Sequence, residues 1–314
     1  MSIIQIDEQS IFCSVVMPVH NGAKYLREAI ESVLNQTYAN FEFLIIENCS
    51  EDESREIIKS YNDPRIKLII ENDCGQVQAY NRGFREAKGD FIFIHDQDDI
   101  SHPERFERQL TCLYTQKIDI CGSYFIIIDE LGNEIFKMTV ATNNNDINHE
   151  ILYKNWTIFN SSVCLKKNIF YKMGYFSSKY YPSADYEFYL RAMNNVMFGN
   201  IPHYLYKWRR HSKQISSYQE KEIRKKTLEI SLSYVHKFPK RQKHTYTGLV
   251  YYYNNKLLAA LFFFMVAFFT DKKTSLLSKY FLTTLLFGIP LKICRKFSCY
   301  YSNYFLKIKK LLYK

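Results

Sequence analysis

Three carboxylates fall within four positions of the stretch FIFIHDQDDISHP, at Asp96, Asp98 and Asp99. Like charges this close repel, and burying one unpaired is costly. A cation removes the conflict. Side chains at i and i+2 of extended backbone project to one side, so Asp96 and Asp98 make a hard oxygen pair suited to Mg2+ or Mn2+. Such an ion takes one or two carboxylates and fills its shell with phosphate oxygens and water. A metal-bridged diphosphate is therefore the natural partner. The competing reading is an ordinary solvated acidic turn, since Asp is common in loops.

The elements that must position this pair are legible in the hydrophobic pattern. Residues 12–19, 41–46, 65–70 and 91–94 read as strands. Helices are expected between them, with Asn21 capping the first, Ser50 and Glu53 forming a capping box for the second, and Gly89 ending the third. Strands alternating with helices predict an α/β fold, a mostly parallel sheet covered on both faces. Ligands of such sheets bind beyond the carboxyl ends of the strands. His20-Asn21, Glu47-Asn48 and Asp96 to Asp99 sit at those ends, so topology alone brings them together. Further on, 119–128 and 134–140 read as a hairpin, 158–167 as a strand, 184–193 as a helix start and 203–212 as a strand ending in a basic cluster.

Four stretches, SVVMPVHN, ESVLNQTYANFEFLIIENCSEDES, GDFIFIHDQDDISHPERF and SADYEFYLRAM, occur in an order and spacing that resembles the inverting nucleotide-sugar glycosyltransferases of family 2. The resemblance covers about residues 12–215. It implies the GT-A fold (Rossmann-like) and transfer of a sugar from a nucleoside-diphosphate sugar, by family habit a UDP-sugar. The acceptor would be a hydroxyl of a glycan or lipid-linked molecule, as in cell-surface polysaccharide synthesis. It also implies roles. Val19, His20 and Asn21 would line the nucleobase pocket, and Glu47-Asn48 stands where the family usually has Asp-Asp reading the base. Asp96 would touch the ribose. Asp98 would hold the metal, with His211 as a nitrogen ligand or diphosphate contact. Asp99 would orient the loop or cap the helix near Pro103. Arg82 and Arg210 would meet donor phosphates. Asp185 falls where the family places its catalytic base, with Ala184 replacing the usual Glu. One carboxylate suffices to take the proton from an attacking hydroxyl. Taken alone, Asp185 reads first as an acidic residue favoured by a helix N-terminus.

Two other readings stay open. A nucleotidyltransferase of related fold would want a Gly-rich loop and basic residues after the first strand, where this chain has His20-Asn21-Gly22. A catalytically inactive, membrane-associated binding protein is suggested by Asn48 and Ala184. The lack of GxGxxG and Walker patterns argues against dehydrogenases and P-loop enzymes.

The chain has 314 residues, 47% hydrophobic and 24% charged, as expected of a globular protein with a large core. Its net charge of +10 is uneven: from residue 216 onward there are 19 Lys and Arg against 4 Asp and Glu, so the preceding part carries −5. An acidic body with a basic tail is not the footprint of a nucleic-acid binder. A catalytic domain over 1–215 and a helical, basic extension over 216–314 are expected. The apolar run at 257–269 is thirteen residues, short of the roughly 20 that span a bilayer. With basic and aromatic residues after it, 245–314 reads as interfacial helices on an anionic membrane. The eight cysteines lack CxxC or zinc spacing and most sit beside apolar residues, so reduced, buried thiols are expected. With no signal-like N-terminus, the chain reads as cytoplasmic, peripheral at the inner face of the plasma membrane.

Overall fold

Strand β1 (Cys13–Val19) is apolar except for Ser14, whose hydroxyl donates to Glu42 Oε1 at 2.7 Å, because both of its faces are covered. In the computed structural model, which describes residues 11–237, 243–253, 260, 262–264 and 266, the elements follow in the predicted alternation. They are α1 (Ala23–Leu34), β2 (Phe41–Asn48), α2 (Ser54–Lys59), β3 (Ile66–Glu71), α3 (Gln76–Glu86), β4 (Phe91–Ile94), β5 (Ile100–Ser101) and α4 (Arg105–Thr115). Next come the hairpin β6 (Ile120–Ile128) and β7 (Glu134–Met138), α5 (Asn144–Glu150), β8 (Cys164–Lys166) and α6 (Asn168–Met173). Then follow α7 (Ala184–Ala192), β9 (Phe198–Arg209), α8 (Ile215–Tyr218), α9 (Glu220–Tyr234) and α10 (Lys243–Tyr253).

The sheet runs β3-β2-β1-β4-β8-β6-β9-β5, with β7 paired to β6. Its first four strands are parallel, and β4 then meets β8 antiparallel. Side chains of β1, β2 and β4 that share one face, among them Val15, Met17, Phe43 and Phe93, pack on Leu26 and Ile30 of α1 and on Phe106 and Leu110 of α4. The other face receives α3, and Gly83 lets it come close: a Cβ there would lie 2.3 Å from Val16 Cγ1. Phe84 of α3 stacks on Phe170 of α6 at 4.2 Å, and Phe188 of α7 joins at 5.4 Å from Phe170, so an aromatic layer ties α7 to the parallel half.

Several local expectations are corrected. Asn21 does not cap α1. It takes φ +51°, and the first amides of the helix are met from the segment after β2, Ala23 N by Asp52 Oδ2 at 2.9 Å and Gly22 N by Ser54 Oγ at 2.9 Å. The Ser50–Glu53 box is not formed, because Ser50 N donates to Glu47 Oε1 and Ser50 Oγ accepts from Asn21 N. Gly89 is not a left-handed helix stop. It is required by close approach to β1, where a Cβ would meet the Cys13 carbonyl carbon at 2.4 Å. Of the expected strand over 158–167, the first part is a 3-10 turn at Asn160–Ser162 and only Cys164–Lys166 pairs. Cys49 and Cys74 are not reduced thiols: they form a disulfide with Cα atoms 5.8 Å apart. Cys13, Cys112, Cys121 and Cys164 are free and buried. Cys294 and Cys299 lie outside the described residues.

The chain divides into two compact units, Met1–Ser231 and Leu232–Lys314. Among the described residues no helix is long and apolar enough to cross a membrane. The expectation of interfacial helices over 245–314 falls largely outside the described residues.

Candidate active site

The carboxyl ends of β1, β2 and β4 open into one cavity of about 1350 Å3. Its walls include Val19, His20, Asn21, Asn48, Asp96, Asp98, Asp185 and His211, so residues spread over 190 positions of sequence meet in one space.

At one end, His20 Nδ1 donates to Asn48 O at 2.8 Å. Gln97 clamps the same turn from the acidic loop, its Oε1 accepting from His20 N at 2.7 Å and its Nε2 donating to His20 O at 2.9 Å. The Asn48 amide is consumed by the protein. Its Nδ2 donates to Glu71 O and Asp73 O, and its Oδ1 accepts from Gly75 N at 2.7 Å. Asn48 thus shapes the 71–75 wall, which the Cys49–Cys74 disulfide also pins.

In the middle sits the acidic loop, and its three carboxylates have three different settings. Asp96 accepts from Tyr80 OH and Ser161 Oγ, and its backbone amide donates to Tyr206 OH at 3.2 Å. Burial, then the neighbouring Asp98 charge, pushes its carboxyl up to about 6, against the two hydroxyl donors. Asp98 Oδ2 accepts from His211 Nε2 at 2.7 Å, with the Asp98 and His211 side chains 17% and 12% exposed. Asp99 is buried and accepts from Arg209 N at 2.8 Å; burial and its two acidic neighbours hold its carboxyl well above the usual range. Asp99 therefore orients the loop. It does not cap α4, whose first-turn flank is Glu104. Arg209 is a buried brace, its Nε donating to Asp98 O at 2.9 Å while its guanidinium also pairs with Glu28.

At the far side, Asp185 opens α7. Burial raises its carboxyl above the ordinary range, opposed by the amides of Asp185 and Tyr186. Its charge acts on Tyr80, Tyr189 and Asp96.

Three expected donor contacts do not line the cavity. Glu47 is fully buried beneath it, Oε1 accepting from Ser50 N at 2.7 Å and Oε2 paired with Arg55. Burial would raise its carboxyl, but the Ser50 amide and Arg55 hold it below the usual range. Arg82 pairs with Glu86 one turn along α3, at 3.0 Å. Arg210 is exposed beyond the end of β9, its amide donating to Ile128 O. The residues that sequence reasoning missed are supports: Tyr80 and Ser161 on Asp96, Gln97 on His20 and Arg55 on Glu47. Arg209 was visible in the basic cluster, but without a hint that it faces inward. Both tryptophans of the chain, Trp156 and Trp208, also line the cavity.

Among the described residues no group of three or more His, Cys, Asp or Glu could hold a metal by itself. The donor set nevertheless fits a hard divalent cation. Mg2+ and Mn2+ use few protein ligands with substrate phosphates, and the Asp98–His211 pair offers one carboxylate oxygen and one imidazole nitrogen at the cavity wall.

Residues 14–178 match the model of the family described as Glycosyl transferase family 2. The chain is 32% identical over 246 residues to the O-antigen biosynthesis glycosyltransferase WbnJ of Escherichia coli, covering 72% of this chain and 95% of that one. It is 32% identical over 203 residues to an uncharacterized glycosyltransferase of Methanocaldococcus jannaschii, covering 62% of this chain and 70% of the other. Among solved structures, S. aureus TarS 1–349 in complex with UDP-GlcNAc superposes with a TM-score of 0.65 at 16% identity, over 86% of this chain and 87% of that one. The mannosyltransferase PcManGT from Pyrobaculum calidifontis, in complex with GDP-Man and Mn2+, gives 0.57 at 14% identity, over 90% and 82%. At these identities the two structures speak for the shared fold, which is the expected GT-A arrangement. The family match and the E. coli relative establish more: this chain belongs to glycosyl transferase family 2 and is a glycosyltransferase.

Proposed function

We propose that the enzyme moves a sugar from a nucleoside-diphosphate sugar to a hydroxyl of a glycan or lipid-linked acceptor, with inversion and with Mn2+ or Mg2+ bound. The observation that carries this reading is the single cavity shared by the His20–Asn48 end, the Asp98–His211 pair and Asp185. The neighbours solved with UDP-GlcNAc and with GDP-Man and Mn2+ support the donor class and the metal. Because Glu47 and Asn48 spend their side chains on the protein, the base is held by a pocket that they shape, built from Val19, His20, Asn21 and the 71–75 wall. The UDP preference usual in the family is thus one option to be measured beside GDP.

In this mechanism Asp96 accepts from the ribose, held in place by Tyr80 and Ser161. Asp98 and His211 would hold the cation, whose positive charge would offset the negative charge of the diphosphate. Asp185 accepts the proton of the acceptor hydroxyl while that oxygen bonds to C1 of the sugar. The C1–O bond to the diphosphate breaks in the same displacement, and the nucleoside diphosphate leaves with the electron pair. The raised carboxyl of Asp185 suits a base that works near neutral pH. A role in cell-surface polysaccharide synthesis is supported by the E. coli O-antigen relative, and a peripheral membrane site by the basic composition of 245–314.

The test is release of nucleoside diphosphate with Mn2+ present, scanned over UDP- and GDP-sugars. Activity with one donor, reduced roughly 100-fold or more by Asp185→Asn, is the expected result. Pyrophosphate as the product would overturn the reading in favour of nucleotidyl transfer.

A further inference from the structure

A departing nucleoside diphosphate gathers negative charge in a cavity that is already acidic. Glu51, Asp52, Asp96, Asp98, Glu130 and Asp185 all line it. Against them, the described lining contains two lysines, Lys24 and Lys213, and no arginine. Lys24 is committed: its Nζ lies 2.7 Å from Glu130 Oε2 and 4.8 Å from the centre of the Tyr25 ring. The arginines of the neighbouring basic cluster do not serve either, since Arg209 is buried under the acidic loop and Arg210 lies outside the cavity.

Lys213 is differently placed. It is exposed, forms no ion pair among the described residues, and stands two positions after His211. The backbone that carries it is fixed. His211 N donates to the buried Gln214 Oε1 at 2.7 Å, and Ser217 N donates to Gln214 O at 2.9 Å. A free ammonium on an anchored loop beside the Asp98–His211 pair is the arrangement a phosphate contact needs, because lysine acts on phosphate as a mobile point charge. We propose that Lys213 contacts the diphosphate of the donor and stabilises it as it leaves, taking the role that the sequence suggests for the arginines. This rests on the nucleotide-sugar reading of the cavity.

The experiment is calorimetric titration of the full chain with UDP, GDP, UMP and GMP, in Mn2+, for wild type, Lys213→Gln and Lys213→Arg. Expected are an affinity loss of roughly tenfold or more for the preferred diphosphate in Lys213→Gln, a smaller loss for the matching monophosphate, and recovery to within about threefold in Lys213→Arg. Unchanged diphosphate affinity in Lys213→Gln overturns the proposal while leaving the nucleotide site standing. Equal losses for mono- and diphosphate overturn it too, because they would mean that the loop rather than the charge matters. If wild type binds no nucleotide, the reading of the cavity fails and Lys213 falls with it.

Discussion

Asp98 Oδ2 and His211 Nε2 lie 2.7 Å apart although 113 residues separate them in the chain. The contact exists because β9 runs parallel to β6 and ends at Arg209, whose amide and guanidinium grip Asp99 and the Asp98 carbonyl. The pair is thus set by a buried frame. Asp98→Ala is expected to abolish the Mn2+-dependent part of nucleotide binding, and His211→Ala to weaken it by about tenfold or more. Titration with and without Mn2+ checks both. Equal metal enhancement in all three proteins would remove the pair from the metal site.

Asp185→Asn should leave nucleotide affinity within about threefold of wild type and reduce transfer by roughly 100-fold or more. The wild-type pH profile carries a second test. The base must be ionised to work, and burial holds its carboxyl above the ordinary Asp range. Activity should therefore rise with pH, and its acidic limb should lie above the range of an exposed Asp. Single-turnover rates across pH check this, and an acidic limb near the value of an exposed Asp would reject the assignment.

The alternation of strands and helices in residues 12–94 was readable because apolar periodicity is a local signal, and strand ends then follow from topology. Side-chain partners are not local, and there sequence reasoning erred. Nothing beside Glu47 announces that Arg55, one helix later, turns it inward. Nothing beside Asn21 announces that Asp52 and Ser54 meet the first amides of α1 in its place. Gly89 shows the same limit: a glycine after a helix suggests a left-handed stop, but the backbone of β1 passing underneath is what excludes a side chain. Arg82 and Arg210 carried the right charge for phosphate, yet a helix-turn neighbour and a strand end took them elsewhere.

Arg55→Ala isolates the structural role of Glu47. Removing the guanidinium leaves a fully buried carboxylate with the Ser50 amide and hydroxyl as its remaining charge-stabilising donors. Because Arg55 is itself 41% exposed, the cost is discounted for solvent screening to roughly 1–3 kcal/mol at pH 7. Glu47 has a lowered folded-state pKa, so the pair stabilises above the unfolded value of 4.5 and is lost as pH falls through the folded value. The melting temperatures of wild type and variant should differ by several degrees at neutral pH and converge in acid. A gap that is constant across pH would mean that the arginine acts through packing.

The 71–75 wall of the cavity has two independent fasteners, the Asn48 amide and the Cys49–Cys74 disulfide. The disulfide closes a loop of 25 residues, which by chain entropy is worth about 3.5 kcal/mol. A non-reducing peptide map should contain the linked pair, and reduction should lower the melting temperature. Since Cys74 lines the cavity directly before Gly75, Cys74→Ser should also weaken nucleotide binding. That loss should be modest while Asn48 still grips the wall and larger in combination with Asn48→Ala, with a more than additive effect in the double variant. Titration of the four proteins measures it. Strict additivity would show that the two fasteners do not share the wall, because groups that hold one element couple in a double-mutant cycle.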